Sequence, residues 1–291
     1  MNLSPWILAS RPKTLPAAVS PVLIGTALAF GDGRGHWLSA IFAALGALLL
    51  QVGANYSNDY YDYISGADDH QRLGPTRATA AGLVQPAAMK RAFIFVFALA
   101  ALVGVYLVVR GGWPVVVIGL LSIASAILYT AGPLPLGYNG LGDLFVFIFF
   151  GLVAVGGTYY VQALQITPIA LFAGIAPGLF SVGILTMNNL RDIHNDRRAG
   201  KHTLPALLGE KFGRLQYVVS VVIACLMPLL LIVLSGGHHW AAVSGLAFLL
   251  TLPVIKMIYR EPPGVIYNQG LAQTGKALFL FSLLFSLGWL L

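Results

Sequence analysis

Ten of the 291 residues are acidic, and six of the ten fall in two short segments. Asp59, Asp62, Asp68 and Asp69 lie in NDYYDYISGADDHQR; Asp192 and Asp196 lie in NNLRDIHNDRRAGKHT. Asn58 and Asp62 stand four positions apart, as do Asn188 and Asp192, and Asp196 follows after four more. Residues so spaced project from one face of a helix. Closely placed carboxylates repel unless a cation or proton intervenes, and more strongly beside an apolar medium. Oxygen and amide donors without thiolates suit a hard ion, Mg2+ or Mn2+. Mg2+ keeps few protein ligands and fills its shell with water and phosphate oxygens, while Arg72, Arg77, Arg198 and Lys201 can take up the remaining phosphate charge. A metal-bridged diphosphate is the ligand these residue types suit. Solvated loop charges or helix caps would explain either cluster alone; two matching clusters, each backed by cations, favour a site.

The elements that position these clusters are apolar. Hydrophobic residues make up 58% of the chain and charged residues only 9%, against roughly 25% charged in a soluble domain. The apolar residues form runs near the ~20 positions that cross a bilayer as a helix. Nine such spans are expected, at 15–31, 38–58, 87–109, 114–130, 141–164, 168–190, 213–235, 240–258 and 271–291. Pro114 and Pro168 suit first helical turns, and Pro21, Pro177, Pro228 and Pro253 predict kinks. The fold class is therefore all-α and polytopic, with 1–291 as one transmembrane domain. With the N-terminus in the cytoplasm, fifteen of the seventeen Lys and Arg residues fall inside, and only Arg34 and Arg110 fall outside. That asymmetry places the C-terminus outside and both acidic clusters on the cytoplasmic face of a cell inner (plasma) membrane. It also gives the net charge of +7 a topological meaning, so no nucleic-acid partner is expected.

The other marked residues are weaker. Cys225 is the single cysteine and lies in an apolar run, which excludes a disulfide framework. The first ten residues lack a secretory-signal pattern and read as an interfacial segment carrying Trp6. His194 and His202 flank the second cluster as solvated loop residues, and Asp143 reads as a charge at a helix N-terminus. Gly174 and Gly178 form a G-x-x-x-G suited to internal helix packing.

These motifs resemble the UbiA superfamily of intramembrane aromatic prenyltransferases. Members carry N-D-x-x-D-x-x-x-D after the second helix and D-x-x-x-D after the sixth. Here the first motif has Gly66 where its last acid is usual, and the next carboxylates are Asp68 and Asp69. That variant, with SRPKTLPA at 10–17, GYNGLGD at 137–143 and NNLRDIHNDRRAGKHTLP at 188–205, is similar to the branch using 1,4-dihydroxy-2-naphthoate. The resemblance implies Mg2+-dependent transfer of a polyprenyl group from polyprenyl diphosphate to that naphthoate, with loss of its carboxyl group, in menaquinone biosynthesis. Asn58, Asp62, Asp68, Asp192 and Asp196 would hold the metal, with Asp62, Asp68, Asp192 and Asp196 catalytic. Arg72, Arg77 and Lys201 would bind the diphosphate. Tyr129 and Tyr63, beside Tyr60 and Tyr61, are candidates to line an aromatic pocket around the allylic cation. Asp68 can join the first site only if its helix ends near Ser65 and Gly66. Other acceptors, 4-hydroxybenzoate, homogentisate or haem, remain open, as does a cation-coupled transporter; the sequence leaves the oligomeric state unknown.

Overall fold

The computed structural model describes residues 4–66 and 73–291, and all regular structure among them is helical. Asp68 and Arg72 lie outside the described residues. A short helix α1 (Ser4–Ser10) leads through a 3-10 turn into α2 (Leu15–Gly31). Then come α3 (Trp37–Ile64), α4 (Pro86–Gly111) and α5 (Trp113–Leu128). The next span is composite, with α6 (Gly142–Phe147), a π-helical stretch (Ile148–Val153) and α7 (Ala154–Ala163). It is followed by α8 (Pro168–Arg191), the short α9 (Ile193–Arg198) and α10 (Leu204–Leu208), and α11 (Glu210–Ser235). A 3-10 stretch (His239–Leu250) runs into α12 (Leu252–Arg260), and α13 (Tyr267–Leu290) closes the bundle.

Eight of the described helical segments are long and apolar enough to cross a membrane. The fourth expected span is α5, whose 16 residues rise only ~24 Å against a hydrocarbon core of ~30 Å. Outward apolar residues such as Phe95, Leu102, Val109, Trp113 and Leu120 are exposed, as lipid-facing positions require. Within the bundle, lipid leaves helices no hydrophobic reason to associate, so small residues let backbones approach. Gly174 and Gly178 of α8 pack on Gly151 of the π-helical stretch, where an added Cβ on Gly151 would stand 2.5 Å from the Gly174 carbonyl oxygen. The G-x-x-x-G thus serves internal packing.

Pro114 and Pro168 sit in first turns, and Pro21, Pro177 and Pro228 lie inside α2, α8 and α11. Pro253 differs from expectation: it occupies the first turn of α12, where the preceding 3-10 stretch gives way to α-helix. Helix α3 continues six residues past the expected end of its span, so Asn58, Asp59 and Asp62 belong to its last two turns. It stops at Ile64, and Gly66 adopts φ 70°, a left-handed conformation that glycine takes without steric cost.

The orientation expected from Lys and Arg can be checked by labelling. In a Cys225→Ala background, cysteines replacing the exposed Arg34 and His239 are expected to react with an impermeant maleimide outside intact cells. A cysteine replacing Arg198 is expected to react only after permeabilisation; external labelling there reverses the topology.

Candidate active site

The last turns of α3 present two faces. Asp59, 1% exposed, does not line the polar cavity described below and accepts hydrogen bonds from the backbone N–H groups of Ala78 (3.0 Å) and Thr79 (2.9 Å). This clamp holds residues 77–79 against the end of α3, with Arg77 at Asp62. The Arg77 guanidinium and Asp62 carboxylate form an ion pair with both side chains 6% exposed. The Tyr138 hydroxyl donates to the other Asp62 oxygen at 2.5 Å. Asn58, four residues before Asp62, accepts from the Thr130 hydroxyl at 3.0 Å.

The second cluster begins where α8 ends. Asp192 breaks the helix, but the Asp196 N–H still bonds the Asp192 carbonyl (2.8 Å), so the four-residue spacing survives into α9. Arg191, 1% exposed, grips Asp192 through Nε (3.1 Å) and Nη2 (2.5 Å), and Nη2 also reaches Asn188 Oδ1 at 2.8 Å. Lys201 Nζ lies 4.0 Å from Asp196 and 4.2 Å above the centre of the Tyr138 ring. Burial pushes the Asp196 carboxyl up to about 6; Lys201 opposes that shift and Asp192 adds to it. Burial, then the nearby Asp62 carboxylate, pushes the Tyr138 phenol up, so it stays a hydrogen-bond donor.

The segment carrying Tyr138 joins the two clusters. Its phenol bonds Asp62, its ring lies under Lys201, and its carbonyl accepts from the His202 N–H at 2.7 Å. Asn58, Asp62, Arg77, Tyr129, Tyr138, Asn188, Asp192, Asp196 and Lys201 line one polar cavity of about 230 Å³, with Arg11 on its wall. Arg11 and Tyr138 were not singled out individually in the sequence. Arg11 has φ 51°, an uncommon conformation for a side-chain-bearing residue and a pointer to function. Both fall in segments, 10–17 and 137–143, marked only by resemblance.

A second, apolar cavity of about 600 Å³ lies between α2, α3, α4, α5 and the composite α6 to α7 span. The two share Gln51, Asn58, Tyr129, Val146 and Phe150. Tyr63 is 42% exposed and lines neither, while Tyr60 and Tyr61 pack on Phe93 at ring separations of 5.7 and 5.9 Å. Asp143, in the first turn of α6, accepts from Gln216 at 2.7 Å and lines neither cavity, and His194 is exposed.

Among the described residues, no three His, Cys, Asp or Glu side chains form a ready metal cluster. The donors on the polar cavity are carboxylates and amides, the hard oxygen set that suits Mg2+. Its charges balance, with Asp62, Asp192 and Asp196 against Arg11, Arg77 and Lys201. A diphosphate entering this chamber adds several negative charges to a neutral wall, so it fits best in company with divalent cations.

The UbiA prenyltransferase family model matches residues 18–265. The 1,4-dihydroxy-2-naphthoate octaprenyltransferase of Escherichia coli is 38% identical, covering 97% of this chain and 94% of its own. The enzyme of the same name from Mycobacterium tuberculosis is 37% identical, covering 97% and 95%. A solved UbiA homolog from Archaeoglobus fulgidus, bound to DMAPP and Mg2+, shares the fold at a TM-score of 0.67 and 15% identity, over 98% of each chain.

Proposed function

We infer the reaction from the premise that this chain belongs to the UbiA prenyltransferase family. It is a multi-pass membrane enzyme that transfers a prenyl chain to 1,4-dihydroxy-2-naphthoate in menaquinone biosynthesis. The observation that carries this reading at the level of residues is the junction of two chambers. A polar one walled by both acidic clusters meets an apolar one at Asn58 and Tyr129. A polyprenyl diphosphate has that same division of polarity.

The diphosphate lies among Arg11, Arg77 and Lys201, and the chain extends into the apolar cavity. Asn58, Asp62, Asp192 and Asp196 would hold Mg2+, for which Mn2+ could substitute, and Asp68, outside the described residues, would be a further ligand. The bound ion supplies Lewis-acid neutralisation of the leaving diphosphate. The allylic C–O bond breaks with its electron pair on the diphosphate, and the Tyr129 ring at the seam faces the cationic carbon. The naphthoate ring forms the new C–C bond; its carboxyl group departs as CO2, leaving that bonding pair with the ring. Tyr138 keeps Asp62 oriented through its hydrogen bond. The single domain spans 1–291, and its active site faces the cytoplasm from the inner membrane.

Purified protein given 1,4-dihydroxy-2-naphthoate, a polyprenyl diphosphate and Mg2+ is expected to yield a product with the mass of the decarboxylated, prenylated quinol. EDTA should abolish turnover and Mg2+ restore it. Full activity in metal-free buffer would remove the metal from the mechanism. Product from 4-hydroxybenzoate or homogentisate but not from the naphthoate would change the acceptor. Metal uptake into proteoliposomes without any acceptor would favour a transporter.

A further inference from the structure

Arg191 is among the largest fully buried side chains, yet it does not line the polar cavity. Two of its nitrogens hold Asp192, and one of those also holds Asn188. The remaining terminal nitrogen, Nη1, donates to Asn268 Oδ1 at 2.7 Å. Asn268 lies in the first turn of α13, and its Nδ2 donates to the Leu73 carbonyl at 3.1 Å. One amide therefore uses its acceptor on the residue orienting the second acidic cluster. It uses its donor on the first described residue after the segment that carries Asp68. Asn268 is 77 positions from Arg191 and 195 from Leu73, and lies beyond the residues matched by the family model, 18–265.

We propose that Asn268 is a positioning residue for the metal site, fixing the Arg191 guanidinium so that Asp192 and Asn188 present their oxygens to the cavity in one geometry. Arg191 is planar and reaches four oxygens in a fixed fork. With Asn268 removed, Nη1 has lost its acceptor, and the fork can rotate and carry the Asp192 carboxylate with it. Outer-shell partners of this kind commonly change metal affinity by roughly 10–100-fold. The proposal rests on the metal–diphosphate reading of the cavity.

The test is direct Mn2+ binding, followed by electron paramagnetic resonance on the purified full chain with inorganic diphosphate. Asn268→Ala is expected to raise the Mn2+ dissociation constant about tenfold. Asn268→Asp keeps an acceptor for Arg191 while losing the donor to Leu73, and should stay within about threefold of the parent. In turnover assays, Asn268→Ala should raise the Mg2+ concentration for half-maximal rate and leave the KM for the naphthoate unchanged. If Asn268→Ala yields no folded protein, Asn268→Ser carries the same expectation, since its short hydroxyl cannot reach both partners. Unchanged Mn2+ affinity in Asn268→Ala, or Asn268→Asp binding as weakly as Asn268→Ala, overturns the assignment. A parent protein that binds no Mn2+ with diphosphate overturns the metal reading itself, and this inference with it.

Discussion

Asp192→Asn is expected to lower the rate at saturating substrates by roughly 10²–10³-fold, the scale on which a preorganised charge-stabilising group acts, while leaving the protein folded. The reason lies in its surroundings. The Asp192 side chain is 16% exposed, against 1% for Arg191, and Arg191 keeps Asn188 and Asn268 as acceptors when the charge is gone. The substitution removes a proposed metal ligand and leaves the buried Arg191 with amide acceptors but no carboxylate, a stability cost that the retained hydrogen bonds reduce. Asp62→Asn should also remove most activity, and it too strips a buried cation of its carboxylate. Asp62 and Arg77 are both buried, and neutralising one partner of a buried pair carries a stability cost of several kcal/mol at most. Turnover at matched, folded protein concentration is the measurement, with Mg2+ titrated from micromolar to millimolar. Normal turnover by Asp192→Asn would take that residue out of the site.

Gly174→Val is expected to destabilise the bundle strongly. An added Cβ at Gly174 meets the Gly151 carbonyl carbon and oxygen at 2.9 Å and Leu152 Cα at 3.0 Å. All three are backbone-chain atoms of the neighbouring span, so none can rotate aside. Valine's two methyl groups force α8 and the π-helical stretch apart over a contact that also includes Gly178. Overpacking of this kind costs about 3 kcal/mol or more, a fall of roughly 10 °C in the melting temperature measured in detergent. Gly157→Ala, on the same composite span, serves as the control. A Cβ there meets nothing within 4 Å, so melting should shift by less than about 2 °C. Equal melting temperatures for Gly174→Val and the parent would show that these helices do not depend on close approach.

The fold was largely legible because lipid imposes a simple rule on sequence. Helix α2 occupies the expected 15–31, since Lys13 and Thr14 before it and Asp32 after it mark the ends of its apolar run. Helix α3 was expected to end at 58 because its last turns carry acids; it continues because Asp59 and Asp62 find partners that let them be buried. Gly66 was readable as a helix stop, since few other residues take φ 70°. The π-helical stretch was not readable, because periodicity over one turn cannot separate it from α-helix. Tyr63 was a candidate for the aromatic pocket because aromatic faces stabilise cations, but one residue along a helix from Asp62 rotates a side chain by ~100°, and it lies exposed. Tyr138 and Asn268 act through contacts 76 and 77 positions distant in sequence, a separation that no local pattern reports.

The seam where the two chambers meet also decides how a catalytic cycle ends. In the proposed arrangement, once the new C–C bond has formed the diphosphate is left among Arg11, Arg77 and Lys201 in the polar chamber. The prenyl chain would then lie beyond Asn58 and Tyr129, in a cavity whose wall includes the exposed Val105, Val109 and Leu120. The products therefore belong to different phases before either has moved, and each departs down its own partition gradient without passing the other. Reversal would need CO2, a water-soluble anion and a membrane-dissolved quinol to return together, so dilution into separate media adds to the irreversibility that decarboxylation brings.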